Sequence, residues 1–308
     1  MKKIDFLIIG AQKSGTTSLF KYLVEHPSLY IPQEKELPYF SYDELNANGI
    51  DRFLDKYFPK AQNAQQWGTV TPQYMYDPVV PDRIKFELPK VKLIAILRDP
   101  VERAISHYKM NVRRGDEKRP VDKAFHECLE VGSVNNARKL RGRSKDEASC
   151  YLVWGEYGRI LKRYFELFPP EQILCVQHKE LASHPAIVVR AIFEFLGVDA
   201  EFLPCNLSKR FHMGGSSVRT RLHEQFRRIK IIRWLWRKLS CGMQYRIASI
   251  YEKFNTVAGK SDAVHIPSTA TLELMRDFFK HDHAILSQLK IDNPSSFFLV
   301  NSKKDEVV

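Results

Sequence analysis

The chain of 308 residues has few of the features that mark disulfide-stapled, metal-binding or membrane-spanning proteins. Its five cysteines are scattered and contain no Cys-x-x-Cys pair, which argues against a disulfide framework or a zinc site. No apolar run approaches the roughly 18 residues of a membrane span. The apolar run after Met1-Lys2-Lys3 is about half as long as a signal-peptide core. We therefore expect a soluble, cytoplasmic protein that needs no metal.

The sequence also lacks internal repeats and any recognisable nucleic-acid-binding module. Its formal net charge is +12, and such a positive field favours the capture of a multiply anionic ligand. Since charge alone is weak evidence for nucleic acid, we expect no nucleic-acid partner. With 44% hydrophobic residues the chain can build a large core. We expect one domain over 1–308, with a core at about 4–200 and a basic loop and helical part at about 205–300.

Short apolar runs alternate with helical patterns along the first two thirds of the chain. This alternation predicts an α/β fold with a central parallel sheet flanked by helices, and further helices at its C-terminal end. Ligands then bind beyond the carboxyl ends of the strands. The predicted strands are Ile4–Ile9, Leu29–Ile31, Trp67–Val70, Leu93–Leu97 and Ile173–Gln177. The predicted helices are Thr16–Glu25, Arg52–Tyr57, Pro78–Phe86, Val101–Arg113, Val121–Leu129, Ser149–Leu167, Pro185–Leu196 and Leu272–Leu289.

The segment Gly10–Thr17 lies between the first predicted strand and the first predicted helix. A glycine-bounded loop at that place holds phosphate on its backbone N–H groups and on the helix N-terminus. The loop differs from the Walker P-loop because Thr16 stands where that motif has its lysine. Its lysine, Lys13, lies three positions earlier. The alternative is a tight turn with an exposed lysine.

A second candidate phosphate site follows the predicted strand Leu93–Leu97. Arg98 stands at the end of this strand, and Ser106 follows eight residues later on the next helix. A guanidinium offers permanent charge and paired N–H donors to a phosphate, and a hydroxyl adds a further donor. Alternatively, Arg98 pairs with Asp99 or caps the helix. Arg103 is interpreted as a structural or solvent-facing residue.

Together the two segments resemble the sulfotransferases that use 3′-phosphoadenosine 5′-phosphosulfate (PAPS). The resemblance covers residues 4–200 and implies a P-loop-like three-layer fold with PAPS as the donor and no metal. It implies that Arg98 and Ser106 bind the 3′-phosphate of the donor. It implies that the 5′-phosphosulfate is bound by Lys13, Ser14, Gly15, Thr16, Thr17 and Ser18.

The segment Gln33–Phe40 resembles the Lys-Glu-x-x-x-Phe segment of heparan sulfate type sulfotransferases, whose glutamate deprotonates the acceptor. The resemblance implies that Glu36 is the catalytic base and that Lys35 contacts donor or acceptor. Glu34 is the second candidate for the base. The alternative is an ordinary polar surface loop.

The segment Thr69–Tyr74 resembles a Glu-Lys-Thr-Pro-x-Tyr segment of the same enzymes, but Thr69-Val70 replaces the Glu-Lys pair. A lysine that contacts the substrate is therefore missing. Either another cation replaces it or the acceptor is not a highly sulfated glycan. Thr71 is expected to bind substrate at the wall of the cleft, unless this segment is a simple turn.

Arg219 lies in a region where the family often places a loop that closes over the nucleotide, so we expect it to contact the donor. The alternative is a linker with solvated arginines. The stretch 226–239 places apolar residues near one stripe with arginines around it. It predicts either packing on the core or peripheral contact with an anionic membrane.

The sequence thus predicts a sulfotransferase that moves a sulfuryl group from PAPS to a hydroxyl or amine. The expected acceptor is a carbohydrate or glycoconjugate, with a lipid or natural-product hydroxyl as the alternative. The rival enzyme class is a P-loop-like small-molecule kinase. The non-enzyme rival is a protein that binds anionic polymers. The oligomeric state stays open.

Overall fold

The structure, a computed structural model, describes residues 3–62, 65–141, 146–207, 216–217, 256–257 and 265–289. Its centre is a five-stranded sheet with the order β2-β3-β1-β4-β5, in which every neighbouring pair is parallel. The strands are β1 (Phe6–Gly10), β2 (Leu29–Tyr30), β3 (Gln66–Val70), β4 (Lys92–Leu97) and β5 (Ile173–Gln177). All five were predicted, with bounds that differ by two residues or fewer.

Helices cover both faces of this sheet. In the described part of the chain they are α1 (Thr16–Leu23), α2 (Asp43–Ala47), α3 (Ile50–Tyr57), α4 (Val80–Glu87), α5 (Pro100–Arg114), α6 (Val121–Leu129), α7 (Val131–Ala137), α8 (Tyr157–Leu167), α9 (His178–Ser183), α10 (Pro185–Leu196) and α11 (Thr269–Gln288). A two-stranded antiparallel pair joins Ser216–Ser217 to Thr256–Val257.

Alternate residues of each central strand enter two separate cores. In β4, Leu93 and Ala95 pack into one cluster with α4 and α8, whereas Ile94 and Ile96 pack into the other with α1 and α10. Since successive side chains of a strand point to opposite faces, a fully apolar strand requires cover on both sides. The predicted three-layer α/β fold is therefore confirmed.

The strand order reverses between β1 and β4. The chain builds β2 and β3 on one side of β1, then crosses to build β4 and β5 on the other side. In open α/β sheets, ligands bind at such a reversal, outside the carboxyl ends of the strands. Both candidate phosphate sites follow the two strands that meet there.

The predicted helix Ser149–Leu167 is wrong in its first half. The structure has short 3₁₀ turns at Glu147–Ser149 and Val153–Gly155, and α8 begins only at Tyr157. Gly155 is closely packed in the second turn, because a Cβ at this position would lie 3.0 Å from the ring of Phe279 on α11. The turns also bring Trp154 into the core, where its indole stacks on two neighbouring rings.

Helix α11 is anchored at both of its ends. At its start, the Ser268 hydroxyl accepts a hydrogen bond from the Thr271 N–H and donates one to Asp122 on α6. Near its end, the carboxylate of Asp282 accepts the N–H groups of Gly158 and Arg159, each at 2.8 Å, and so caps α8. A third apolar cluster joins α11 to α5 and α6. Among the described helices, none combines the length and apolar character that crossing a bilayer requires.

Candidate active site

The first candidate phosphate site is the loop 11–15 between β1 and α1. Gly15 stands at the N-terminal end of α1 with φ 92°, a left-handed conformation that favours glycine. A Cβ there would also lie 3.2 Å from the ring of His178, the first residue of α9. The loop therefore presents the N–H groups of α1 without an obstructing side chain, the arrangement that suits an anion.

Lys35 joins the N-terminus of α1 to the segment that carries Glu36. Its ammonium donates to the hydroxyl of Thr17 at 2.6 Å and to that of Thr16 at 3.3 Å. It also lies 3.9 Å from a carboxylate oxygen of Glu36. Because the lysine occupies acceptor positions on both hydroxyls, their hydrogens remain available to donate to an anion.

Lys13 lies among other cations. Burial lowers the pKa of its ammonium to about 8, and the positive charges of Arg113, Arg114, Arg98 and Lys35 act in the same direction. Within the described residues, no carboxylate forms an ion pair with Lys13. A half-buried cation surrounded by like charge favours a bound anion.

Arg98 lies beside the loop. It donates to the backbone carbonyl of Lys13 at 3.3 Å and pairs with Glu102 at 3.0 Å. Asp99, the partner considered from the sequence, instead accepts the N–H of Glu102 and caps α5. Ser106 follows Glu102 by four residues on α5, so both lie on the helix face next to Arg98.

Glu36 has a φ of 69°, a conformation that is uncommon for residues other than glycine. Hydrogen bonds to the end of β3 and to the turn that follows it hold Glu36 in this conformation. The Glu36 N–H donates to the Val70 carbonyl at 2.9 Å, and the amide of Gln73 donates to the Glu36 carboxylate at 3.0 Å. The hydroxyl of Tyr74 donates to the carbonyl of Leu37. The carboxylate is thus held next to Lys35.

Thr71 is a correction to the predicted site. Its side chain is fully buried, and its hydroxyl donates to the carbonyl of Leu37 at 3.0 Å. A buried, engaged hydroxyl is not available to an acceptor molecule. Thr71 therefore acts on the site through the segment 36–37, which it holds in place.

The structure adds polar residues that the motifs did not indicate. The Glu147 carboxylate accepts from the Gln12 amide and from the ring Nε2 of His107, both at 2.9 Å. Burial lowers the pKa of His107 to about 4, so its ring is neutral at pH 7. Burial alone raises the pKa of Glu147, but hydrogen bonds from His107 and Gln12 outweigh it and lower the pKa to about 2.

Sequence patterns could not find these partners. Glu147 lies 135 residues from Gln12 and 40 from His107. Arg103 of α5 is a further difference, since it is fully buried and donates to the carbonyl of Tyr151. The sequence left Arg103 as either a structural or a solvent-facing residue, and its burial confirms the structural role.

A cavity of about 510 Å³ opens beside Arg98. It lies at the carboxyl ends of β4 and β5 and is closed on one side by α11. Polar groups from Arg98, His178 and Lys179 line it together with the ring of Phe279. Burial lowers the pKa of His178, and the positive charge of Arg98 lowers it further.

Arg219 and the stretch 226–239 lie outside the described residues. Within the described residues, no group of three or more His, Cys, Asp or Glu side chains is arranged to hold a metal ion.

Comparison with known proteins identifies the family. Residues 3–213 match the family model described as the sulfotransferase domain. The chain belongs to the sulfotransferase family. The match contains every predicted site residue except Arg219, and it confirms that the chain is a sulfotransferase.

Curated relatives of this sulfotransferase include two human proteins. It is 33% identical over 202 residues to bifunctional heparan sulfate N-deacetylase/N-sulfotransferase 3, covering 63% of this chain and 22% of the relative. It is 32% identical over 217 residues to bifunctional heparan sulfate N-deacetylase/N-sulfotransferase 2, covering 67% and 23%. The chain thus spans less than a quarter of the length of these relatives.

A solved structure shares the fold of this sulfotransferase. The sulfotransferase from Alicyclobacillus acidocaldarius superposes with a TM-score of 0.57 at 23% identity, covering 88% of this chain and 99% of that one. At this identity the likeness shows a shared fold.

Proposed function

We propose that this sulfotransferase moves a sulfuryl group from PAPS to a hydroxyl or amine of a glycan or glycoconjugate. One observation carries the proposal. Lys35 links the hydroxyls at the N-terminus of α1 to the carboxylate of Glu36, 3.9 Å from its ammonium. A group able to bind the transferred anion and a group able to take the acceptor proton therefore lie side by side.

The described residues fit the donor at both of its charged ends. The loop 11–15 offers N–H groups, and Lys13 and Lys35 offer charge, to a 5′-phosphosulfate. Arg98, with Ser106 on the adjacent face of α5, suits a 3′-phosphate. The cavity of about 510 Å³ beside Arg98 provides room for a nucleobase.

The chemistry is an in-line transfer. The acceptor oxygen or nitrogen forms a bond to sulfur while the bond between sulfur and the phosphate oxygen breaks. The acceptor proton passes to the carboxylate of Glu36. The bonding electrons stay on the phosphate oxygen of the departing nucleotide, where Lys13 stabilises the negative charge that builds up.

The carbohydrate acceptor is supported by the names of the relatives, which are heparan sulfate N-sulfotransferases. Val70, the last residue of β3, stands where the motif that Thr69–Tyr74 resembles has a lysine, and its side chain is buried. Arg113 and Arg114 instead place positive charge near Lys13. They are candidates for contact with an anionic group of the acceptor.

Calorimetric titration tests the donor. We expect 3′-phosphoadenosine 5′-phosphate (PAP) to bind far more tightly than 5′-AMP or ATP-Mg²⁺, and Arg98→Ala to remove most of that preference. Equal or tighter binding of ATP-Mg²⁺ would instead support a kinase. Transfer from labelled PAPS to desulfated glycans, absent in Lys13→Ala, then tests the acceptor class.

A further inference from the structure

Glu147 connects two distant parts of the site. It stands in the 3₁₀ turn between α7 and α8, outside both phosphate-binding motifs. One of its carboxylate oxygens accepts hydrogen bonds from the Gln12 amide and from His107 Nε2, each at 2.9 Å. Through Gln12 it reaches the residue directly before Lys13.

Gln12 is held at two points. Its side-chain amide donates to Glu147, and its backbone N–H donates to the hydroxyl of Tyr76 at 2.6 Å. Lys13 follows with φ 70°, a conformation that persists in a non-glycine residue only when its surroundings impose it. The two anchors of Gln12 therefore help to set the direction in which the Lys13 side chain leaves the loop.

The groups behind Glu147 form one packed unit. The Trp154 ring stacks between Tyr76 and His107, with centroid distances of 4.2 and 5.1 Å. Arg103 lies 3.4 Å from His107 Nδ1 and can only donate. His107 therefore accepts at Nδ1 and donates from Nε2 to Glu147. Both anchors of Gln12 rest on this unit.

We propose that Glu147 is a positioning residue of the donor loop, which orients Lys13 through Gln12 without itself touching the donor. The inference rests on the proposed function. It adds that the 3₁₀ turn Glu147–Ser149 takes part in the transfer by positioning the donor loop. The carboxylate acts by accepting two hydrogen bonds at once.

A double-mutant cycle of Glu147→Ala and Gln12→Ala tests the proposal, with PAP affinity and kcat as readouts. We expect Glu147→Ala to weaken PAP binding and lower kcat, each by about tenfold. On the Gln12→Ala background the same change should add less than about twofold, because the contact is already lost. Glu147→Gln keeps an oxygen acceptor and should recover most of the loss.

Glu117→Gln is the matched control. Glu117 is also a buried carboxylate, but its side chain bonds Arg119 and Tyr151 rather than Gln12 or His107. We expect this variant to lower the melting temperature while PAP affinity and kcat stay near the wild-type values. Additive losses in the cycle, or an unchanged Glu147→Ala enzyme, would overturn the proposal.

Hydrogen exchange of the unliganded protein separates this proposal from the donor assignment. Amides of residues 12–17 should exchange faster in Glu147→Ala than in the wild type, with no change in Glu117→Gln. Failure of the wild type to bind PAP counts against the proposed function. Unchanged exchange in Glu147→Ala counts against the role of Glu147, whether or not PAP binds.

Discussion

Lys13 and Glu36 share a backbone conformation that is rare for residues with a side chain. Their φ angles are 70° and 69°, and among the described residues they are the two non-glycine residues with positive φ. Such a conformation costs about 1–3 kcal/mol and is concentrated at functional sites. The sequence segments that contain them independently predict both residues as catalytic. The agreement supports the proposal that they act in the transfer.

Glu36→Gln should lower kcat by about 10²–10⁴-fold, the usual contribution of a general base. PAP affinity should stay unchanged because the glutamine keeps the shape of the side chain. Glu34→Gln is the control, since Glu34 is exposed on the same loop. A large loss in Glu34→Gln with an active Glu36→Gln would transfer the role of base to Glu34.

The charge of Lys13 should set the alkaline limit of donor capture. Because burial and neighbouring cations lower its pKa to about 8, the free enzyme loses this positive charge as the pH rises through 8. We expect kcat/KM for PAPS to fall above about pH 8 and kcat to fall only at higher pH, since bound phosphate raises the lysine pKa.

The Arg114→Gln variant tests whether the pKa of Lys13 sets this alkaline limit. Removing one of the positive charges near Lys13 should raise the lysine pKa and move the alkaline limb of kcat/KM to higher pH. If kcat/KM falls at the same alkaline pH in the wild type and in Arg114→Gln, a group other than Lys13 controls that fall.

Local sequence patterns explain which site residues could be predicted. Lys13, Glu36 and Arg98 stand in short segments whose spacing or resemblance identifies them. Gln73 and Glu147 carry no such signal, because their roles depend on contacts with residues 37 and 135 positions away. The buried state of Thr71 also depends on a distant partner, the carbonyl of Leu37.

At the scale of elements, the strands were predictable because they are short and, apart from β3 (Gln66–Val70), consist mainly of apolar residues. The region 149–157 was not, since its apolar residues, among them Tyr151, Leu152 and Trp154, run on into the amphipathic pattern of α8. Contact of Gly155 with Phe279 and stacking of Trp154 favour the turns there. Tertiary packing decided against a helix that local preference favoured.

Helix α11 should stabilise the sulfotransferase core through Asp282. In Asp282→Ala, the N–H groups of Gly158 and Arg159 lose their acceptor, so we expect the free energy of unfolding to fall by about 1–2 kcal/mol. Asp277→Ala is the control, because Asp277 is exposed on the same helix and pairs with Lys280. Denaturant unfolding of both variants measures the difference, and equal losses would contradict the capping role.

At the scale of the whole molecule, the net charge of +12 complements a donor with several negative charges. Lys13, Lys35 and Arg98 meet where the strand order reverses, so the local positive charge lies at the ligand-binding edge of the sheet. Such a field raises the rate at which an anionic ligand is captured, and dissolved salt screens it.

The kcat/KM for PAPS should therefore fall several-fold when NaCl rises from about 20 mM to about 200 mM. The kcat value should change much less, because charges already in contact are screened less. Transfer measured at saturating and at limiting PAPS separates the two parameters. A kcat/KM that is independent of salt would show that the net charge has no part in donor capture.

The cap that Asp282 places on α8 also has a consequence for how the protein is made. Gly158 leaves the ribosome 124 residues before its partner. At typical rates of about 5–20 residues per second, the nascent chain waits roughly 6 to 25 seconds for that residue. During this time the N–H groups of Gly158 and Arg159 can bond only to water, and the apolar side of α8 that packs against α11 is exposed. An uncovered apolar surface of this kind exposes the growing chain to chaperones and to association with other nascent chains.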